Sequence, residues 1–113
     1  MFSLRFGRQS EIKAARYLRS LGYRVIASGY RVKEGEVDLI AWDQDVLVFV
    51  EVKYRSGNLK MAEEGIDQSK ISFLRNAARQ YLESTGWNDK EIRFDMIALQ
   101  NKAIRHYTNV FCD

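Results

Sequence analysis

The chain has 113 residues, 46% of them hydrophobic and 29% charged, which is the balance of one globular domain with a core of its own and leaves little room for a second module. A single cysteine, Cys112, excludes an internal disulfide. With no apolar run of membrane-spanning length and no signal-peptide core, a soluble cytoplasmic protein with no membrane partner is expected. The net charge is +3, but residues 1–33 carry eight Lys or Arg against one acid, Glu11, so a basic front part precedes an acidic remainder and suits an anionic partner.

From about Gly7 to Leu21 the spacing predicts a helix with two sides. Ala14, Ala15, Tyr17, Leu18 and Leu21 share one arc, and Arg8, Lys13, Arg16 and Arg19 share the opposite one. Glu11 falls inside the apolar arc. It reads either as an N-terminal acid that complements the helix dipole or pairs with a buried base, or as a third acid of a metal site. Gly22 ends the helix, Tyr23 to Ser28 reads as a short strand, and Gly29 and Gly35 punctuate the passage into a central hairpin.

That hairpin is the stretch from Gly35 to Arg55, G-E-V-D-L-I-A-W-D-Q-D-V-L-V-F-V-E-V-K-Y-R. In its first arm Val37, Leu39 and Ala41 alternate with Glu36, Asp38, Ile40 and Trp42. In the second, Val46, Val48, Val50 and Val52 alternate with Leu47, Phe49, Glu51 and Lys53. Apolar residues on both faces mark a strand covered above and below, where isolated charge is costly. Glu51 and Lys53 nevertheless sit there. A two-residue loop of Gln44 and Asp45 would set Asp38 opposite Glu51 on one face, whereas a three-residue loop without a bulge would separate them. Two carboxylates held together in this way suit Mg²⁺, with Mn²⁺ as a substitute, and Lys53 would stabilise charge on a phosphate.

Residues 54–65 are polar and aperiodic and read as a loop. A second helix, from about Asp67 to Ser84 with Asp67 as its N-cap, carries Ile71, Phe73, Leu74, Ala77, Ala78, Tyr81 and Leu82 on one broad inward arc. Lys70 points the same way, either snorkelling past the core or reaching a substrate phosphate or the carboxylates. Gln68 is a weaker candidate of the same kind. Ile92 to Leu99 and Ala103 to Tyr107 read as strands. Within them Arg93 and Asp95 are expected to form a structural pair, and His106 is read as structural rather than as a general base. No P-loop, dinucleotide fingerprint, zinc pattern or serine triad competes.

The pattern G-E-V-D-L-I-A followed by V-F-V-E-V-K resembles the bacterial YraN-like family of the restriction-endonuclease-like PD-(D/E)xK superfamily, distantly similar to archaeal Holliday junction resolvases. Gly7 with Glu11, Ile66 with Lys70, Arg93-Phe94-Asp95, and His106 with Asn109 and Phe111 extend the likeness over nearly the whole chain. The resemblance implies an α/β fold with an αβββαβ core, its mixed sheet flanked by helices. It places Asp38, Glu51 and Lys53, with Glu11, at catalytic positions, and Asp38, Glu51 and Val52 at metal positions. The expected function is a Mg²⁺-dependent endonuclease acting on DNA, in the first place on branched or structured forms. The alternative is a nucleic-acid-binding module of the same fold with little or no catalysis. Lys70, Gln68, Arg8, Lys13, Arg16 and Arg19 are the expected nucleic-acid contacts, and a homodimer is an assembly open to it.

Overall fold

The structure, a computed structural model, describes residues 9–54, 68–100 and 103–110, with the side chain of Gln68 excepted. Along the chain run α1 (Gln9–Ser20), β1 (Arg24–Val32), β2 (Gly35–Asp43), β3 (Val46–Tyr54), α2 (Gln68–Thr85), β4 (Glu91–Gln100) and β5 (Ala103–Tyr107). The strands form one sheet in the order β1-β2-β3-β4-β5. Only β3 and β4 pair in parallel, and the remaining neighbours are antiparallel, so the sheet is mixed. This is the α/β arrangement that the element order predicts, and it is consistent with a restriction-endonuclease-like core.

A helix covers each side of the sheet. Ala14, Ala15 and Leu18 of α1 pack on Leu39, Ala41, Val48 and Val50, and the two alanines let the helix come close to the strands. Leu74, Ala77, Ala78 and Tyr81 of α2 pack on Ile40, Leu47 and Phe49 on the other side. The alternation of β3 thus feeds two cores, and Leu47 to Val50 are fully buried. The turn between β2 and β3 is Gln44 and Asp45, with Asp43 paired to Val46. Gln44 adopts φ 56° to make it.

Three details differ from the sequence reading. Strand β1 continues through Gly29 to Val32, because the glycine takes φ 61° inside the strand while pairing holds on both sides of it, Ser28 with Leu39 and Tyr30 with Val37. Leu21 does not join the core and is 51% exposed, since α1 has already closed: the N–H groups of Gly22 and Tyr23 donate to the carbonyls of Arg19 and Leu18. Val37 packs with Ile40 on the α2 side, so alternation in β2 breaks between Val37 and Leu39. That break falls where pairing of β2 with β3 stops, at Leu39 and Val50.

The inward charges of β4 are well partnered. Asp95 is 0% exposed, and Arg93 donates to it through Nε at 2.9 Å and Nη2 at 3.0 Å. Arg93 also donates to Asp43 at 2.9 Å and to the Tyr23 hydroxyl at 2.6 Å. His106 Nε2 lies 2.7 Å from Asp95, and the Asn109 N–H donates to the same carboxylate at 3.0 Å. Burial alone would raise the Asp95 pKa, but these hydrogen bonds outweigh it and hold the carboxyl below its ordinary value. Arg93 and Asp95 are therefore a structural pair that ties β1, the β2–β3 turn, β4 and β5 together, and His106 belongs to it. Arg93→Ala is expected to destabilise by about 3–5 kcal/mol, because it strands a buried carboxylate. Urea unfolding would measure that loss.

Candidate metal centre

At the opposite end of β2 and β3 the sheet opens. The last ladder pair is Leu39 with Val50, and beyond it the Asp38 side chain replaces the strand partner by accepting the Val52 N–H at 2.7 Å. Asp38 is 7% exposed. Glu51, 3% exposed on β3, faces the same cleft and accepts from Lys70 at 2.9 Å and Lys53 at 3.3 Å. Asp38 and Glu51 line one cleft just past the end of the β2–β3 ladder, and α2 contributes its inward lysine.

Glu11 arrives from the first turn of α1, at 3% exposure. Oxygens of Glu11, Glu36 and Asp38 lie within 4.8 Å of one another. Two oxygens on one ion lie at most about 4.2 Å apart for Mg²⁺ and about 5 Å apart for Ca²⁺, so this spread suits a Ca²⁺-sized ion directly and Mg²⁺ after a small closing of the carboxylates. Glu36 also accepts from Arg31 at 2.8 Å, which orients its carboxylate from the neighbouring strand. A cleft of about 510 Å³ opens on the group, lined by Ser10, Glu36, Asp38, Glu51, Val52, Lys53, Tyr54 and Lys70.

Negative charge is in excess here. Burial pushes the Asp38 carboxyl up, the carboxylates of Glu51 and Glu11 add to the effect, and the Val52 N–H and Lys70 only partly offset it, so its pKa rises to about 7. All four acids are hard oxygen donors, suited to Mg²⁺ or Mn²⁺ rather than to a soft metal. Glu11, Glu36 and Asp38 are placed to hold such an ion. Glu51 stands beside them, its carboxylate engaged by two ammonium groups.

Other residues singled out by the sequence fall at varying distances from this cleft. Val52 lines it and caps Asp38. Lys13 lines an adjoining cleft of about 330 Å³ with Gln9, Ser10 and Tyr54. Arg16 and Arg19 lie exposed farther along α1. Arg8, Asp67, the 55–65 part of the loop and the Gln68 side chain lie outside the described residues. Glu36 is not among the residues that the motif singles out, although strand alternation already places it on the face of Asp38. Tyr54, at the end of β3, gives no signal in the sequence.

A family model described as "Uncharacterised protein family UPF0102" matches residues 10–99. The chain belongs to this family. A UPF0102 protein of Sulfurihydrogenibium sp. is 43% identical over 106 residues, covering 93% of this chain and 92% of its own length. A UPF0102 protein of Persephonella marina is 38% identical over 112 residues, covering 98% and 97%. One of Pelotomaculum thermopropionicum is 41% identical over 112 residues, covering 93% of each. The span matched to UPF0102 contains Glu11 and the five charged residues that line the cleft, Glu36, Asp38, Glu51, Lys53 and Lys70.

The raised Asp38 pKa makes stability depend on pH in a definite sense. The folded chain keeps a proton there up to about pH 7, whereas the unfolded chain releases it near the ordinary value of 3.8, so this site's contribution to stability falls as pH rises between those values. Asp38→Asn removes the penalty. Without metal, the variant is expected to be more stable than wild type at pH 8, by on the order of 2 kcal/mol, with the advantage shrinking towards pH 4.5. Thermal unfolding across that range checks it, and a variant less stable than wild type at pH 8 would contradict it.

Proposed function

We propose that this chain is a metal-dependent phosphodiesterase of the PD-(D/E)xK type that hydrolyses DNA, and that branched or otherwise structured forms are its preferred substrates. The observation that carries the reading is the convergence of three carboxylates from α1 and β2 beside Glu51, Lys53 and Lys70 in one open cleft. Carboxylates crowded together at a buried site disfavour one another's charged forms, and such groups gather where chemistry requires them. The resemblance of G-E-V-D-L-I-A and V-F-V-E-V-K to the superfamily's motif supports the same reading, as does the basic, exposed side of α1 with Lys13, Arg16 and Arg19.

Glu11, Glu36 and Asp38 would hold Mg²⁺, which when bound supplies Lewis-acid stabilisation to a phosphoryl oxygen. The chain's own residues do the rest. Buried carboxylates repel the phosphate of an approaching strand, and Lys53 and Lys70 at the mouth of the cleft counter that repulsion. The Asp38–Val52 hydrogen bond fixes the carboxylate against the backbone, so the cluster does not have to reorganise when substrate enters. Lys53, held beside Glu51, presents its ammonium group to the charge that grows on phosphorus oxygens as water adds and the bridging P–O bond breaks. Water gives up one proton in this hydrolysis, and the departing oxygen gains one.

A binding module without catalysis is the second reading, and one observation favours it: Glu51 is already ion-paired with both lysines, as in a stable electrostatic lock. Single-stranded, duplex, flapped and four-way DNAs incubated with Mg²⁺ or Mn²⁺ separate the two. Metal-dependent cleavage is expected. Lys53→Ala should slow it about 100- to 1,000-fold while DNA affinity, measured in Ca²⁺, stays within a few fold. Wild type that binds these DNAs yet cuts none of them with either metal would establish the binding module instead.

A further inference from the structure

A second cleft, of about 550 Å³, lies between the β1–β2 turn and the start of α2. Glu36 and Lys70 line both this cleft and the metal centre, so the two are continuous. Its distinguishing group is Phe73, half-buried and partly open to the cleft. A Cβ built on Gly35 would stand only 3.2 Å and 3.3 Å from the Phe73 ring, so this glycine lets the ring lie close to the strand backbone, and any side chain would have to push it away. Lys70 Nζ stands 5.9 Å from the ring centroid and links it to Glu51. Farther out, Asn76 Nδ2 donates to Glu34 at 3.4 Å, and Arg79 donates to the Asn76 carbonyl oxygen at 3.3 Å.

The charge pattern narrows what such a cleft can take. Glu34 and Glu36 border it on the strand side, which disfavours a phosphate, while the ring offers a flat apolar surface. A neutral planar group with hydrogen-bond donors at its edge fits both. We infer that this cleft seats an unpaired nucleobase of the strand whose phosphate lies at the metal centre, stacked on Phe73 with Glu34 accepting from the base edge. The inference rests on the nucleic-acid reading of the metal centre and deepens it. A base inside a duplex has both faces covered, so the cleft selects single-stranded, frayed or flipped nucleotides. Stacking tolerates every base, and an acceptor carboxylate can take an exocyclic amino group of adenine, cytosine or guanine or the N3–H of thymine.

The test is a scan with tailed and flapped duplex DNAs, each carrying one abasic sugar at a different position of the unpaired strand. Affinity is measured in Ca²⁺, so that no turnover is required. One position is expected at which the abasic sugar weakens wild-type binding about 5- to 100-fold, the range that one stacked base contributes. Phe73→Leu, which keeps most of the apolar contact to the core, should bind the intact and abasic DNAs alike. A flat scan with wild type, or an abasic loss that persists undiminished in Phe73→Leu, overturns the base site while leaving the metal centre standing. Wild type that binds none of these DNAs brings down both readings together.

Discussion

Everything at the candidate centre depends on one hydrogen bond, from the Val52 N–H to the Asp38 carboxylate, made where the β2–β3 ladder gives out. An unpaired N–H in the middle strand of a sheet would be expensive, and a carboxylate is a strong acceptor for it. That same bond pulls Asp38 into the protein, 7% exposed, among the acids of α1 and β3. Strand pairing ends, a charged side chain takes over, and the chain is left with a cleft whose floor is backbone and whose walls are carboxylates.

The sheet carries a second buried acid that makes an instructive contrast. Asp95 is at least as thoroughly buried as Asp38, yet it has a bidentate arginine, a histidine and a backbone N–H, and its pKa is lowered. Asp38 has one backbone donor and several carboxylate neighbours, and its pKa is raised. Burial acts in the same direction on both. What differs is the company each keeps: donors surround Asp95, whereas other carboxylates crowd Asp38. His106 illustrates the same division: an isolated histidine suggests acid–base chemistry, but its Nε2 is committed to Asp95, and Tyr17 and Tyr23 meet its ring edge-on with centroids 5.6 Å and 5.9 Å away.

Much of this is legible in the chain itself. Helical periodicity turns Glu11 and Lys70 inward, and both prove to face the carboxylate cleft or its partners. The Gln44–Asp45 turn fixes the register from Asp43 with Val46 to Leu39 with Val50, and Asp38 and Glu51 meet in one cleft just beyond the end of that ladder. Less legible is anything that depends on where two strands part. Alternation alone puts Val37 with Leu39, but pairing stops at Leu39, and the freed end of β2 turns Val37 to the other core. Periodicity describes a strand that stays in register; it has nothing to say about where register is abandoned. Gly29 misleads for a related reason. Glycine marks breaks more often than it sits within strands, and only pairing on both sides keeps β1 continuous to Val32.

Whether the carboxylates of Glu11, Glu36 and Asp38 form one cation site decides the rest. Anomalous diffraction from crystals of the protein grown with Mn²⁺ tests it most directly, because the signal locates the ion without reference to activity or substrate. A single strong peak bonded to oxygens of all three residues, in the cleft bordered by Glu51, Lys53 and Lys70, is the predicted result. A map in which Mn²⁺ leaves that cleft vacant and binds only elsewhere, with Asp38 still capping Val52, would contradict it.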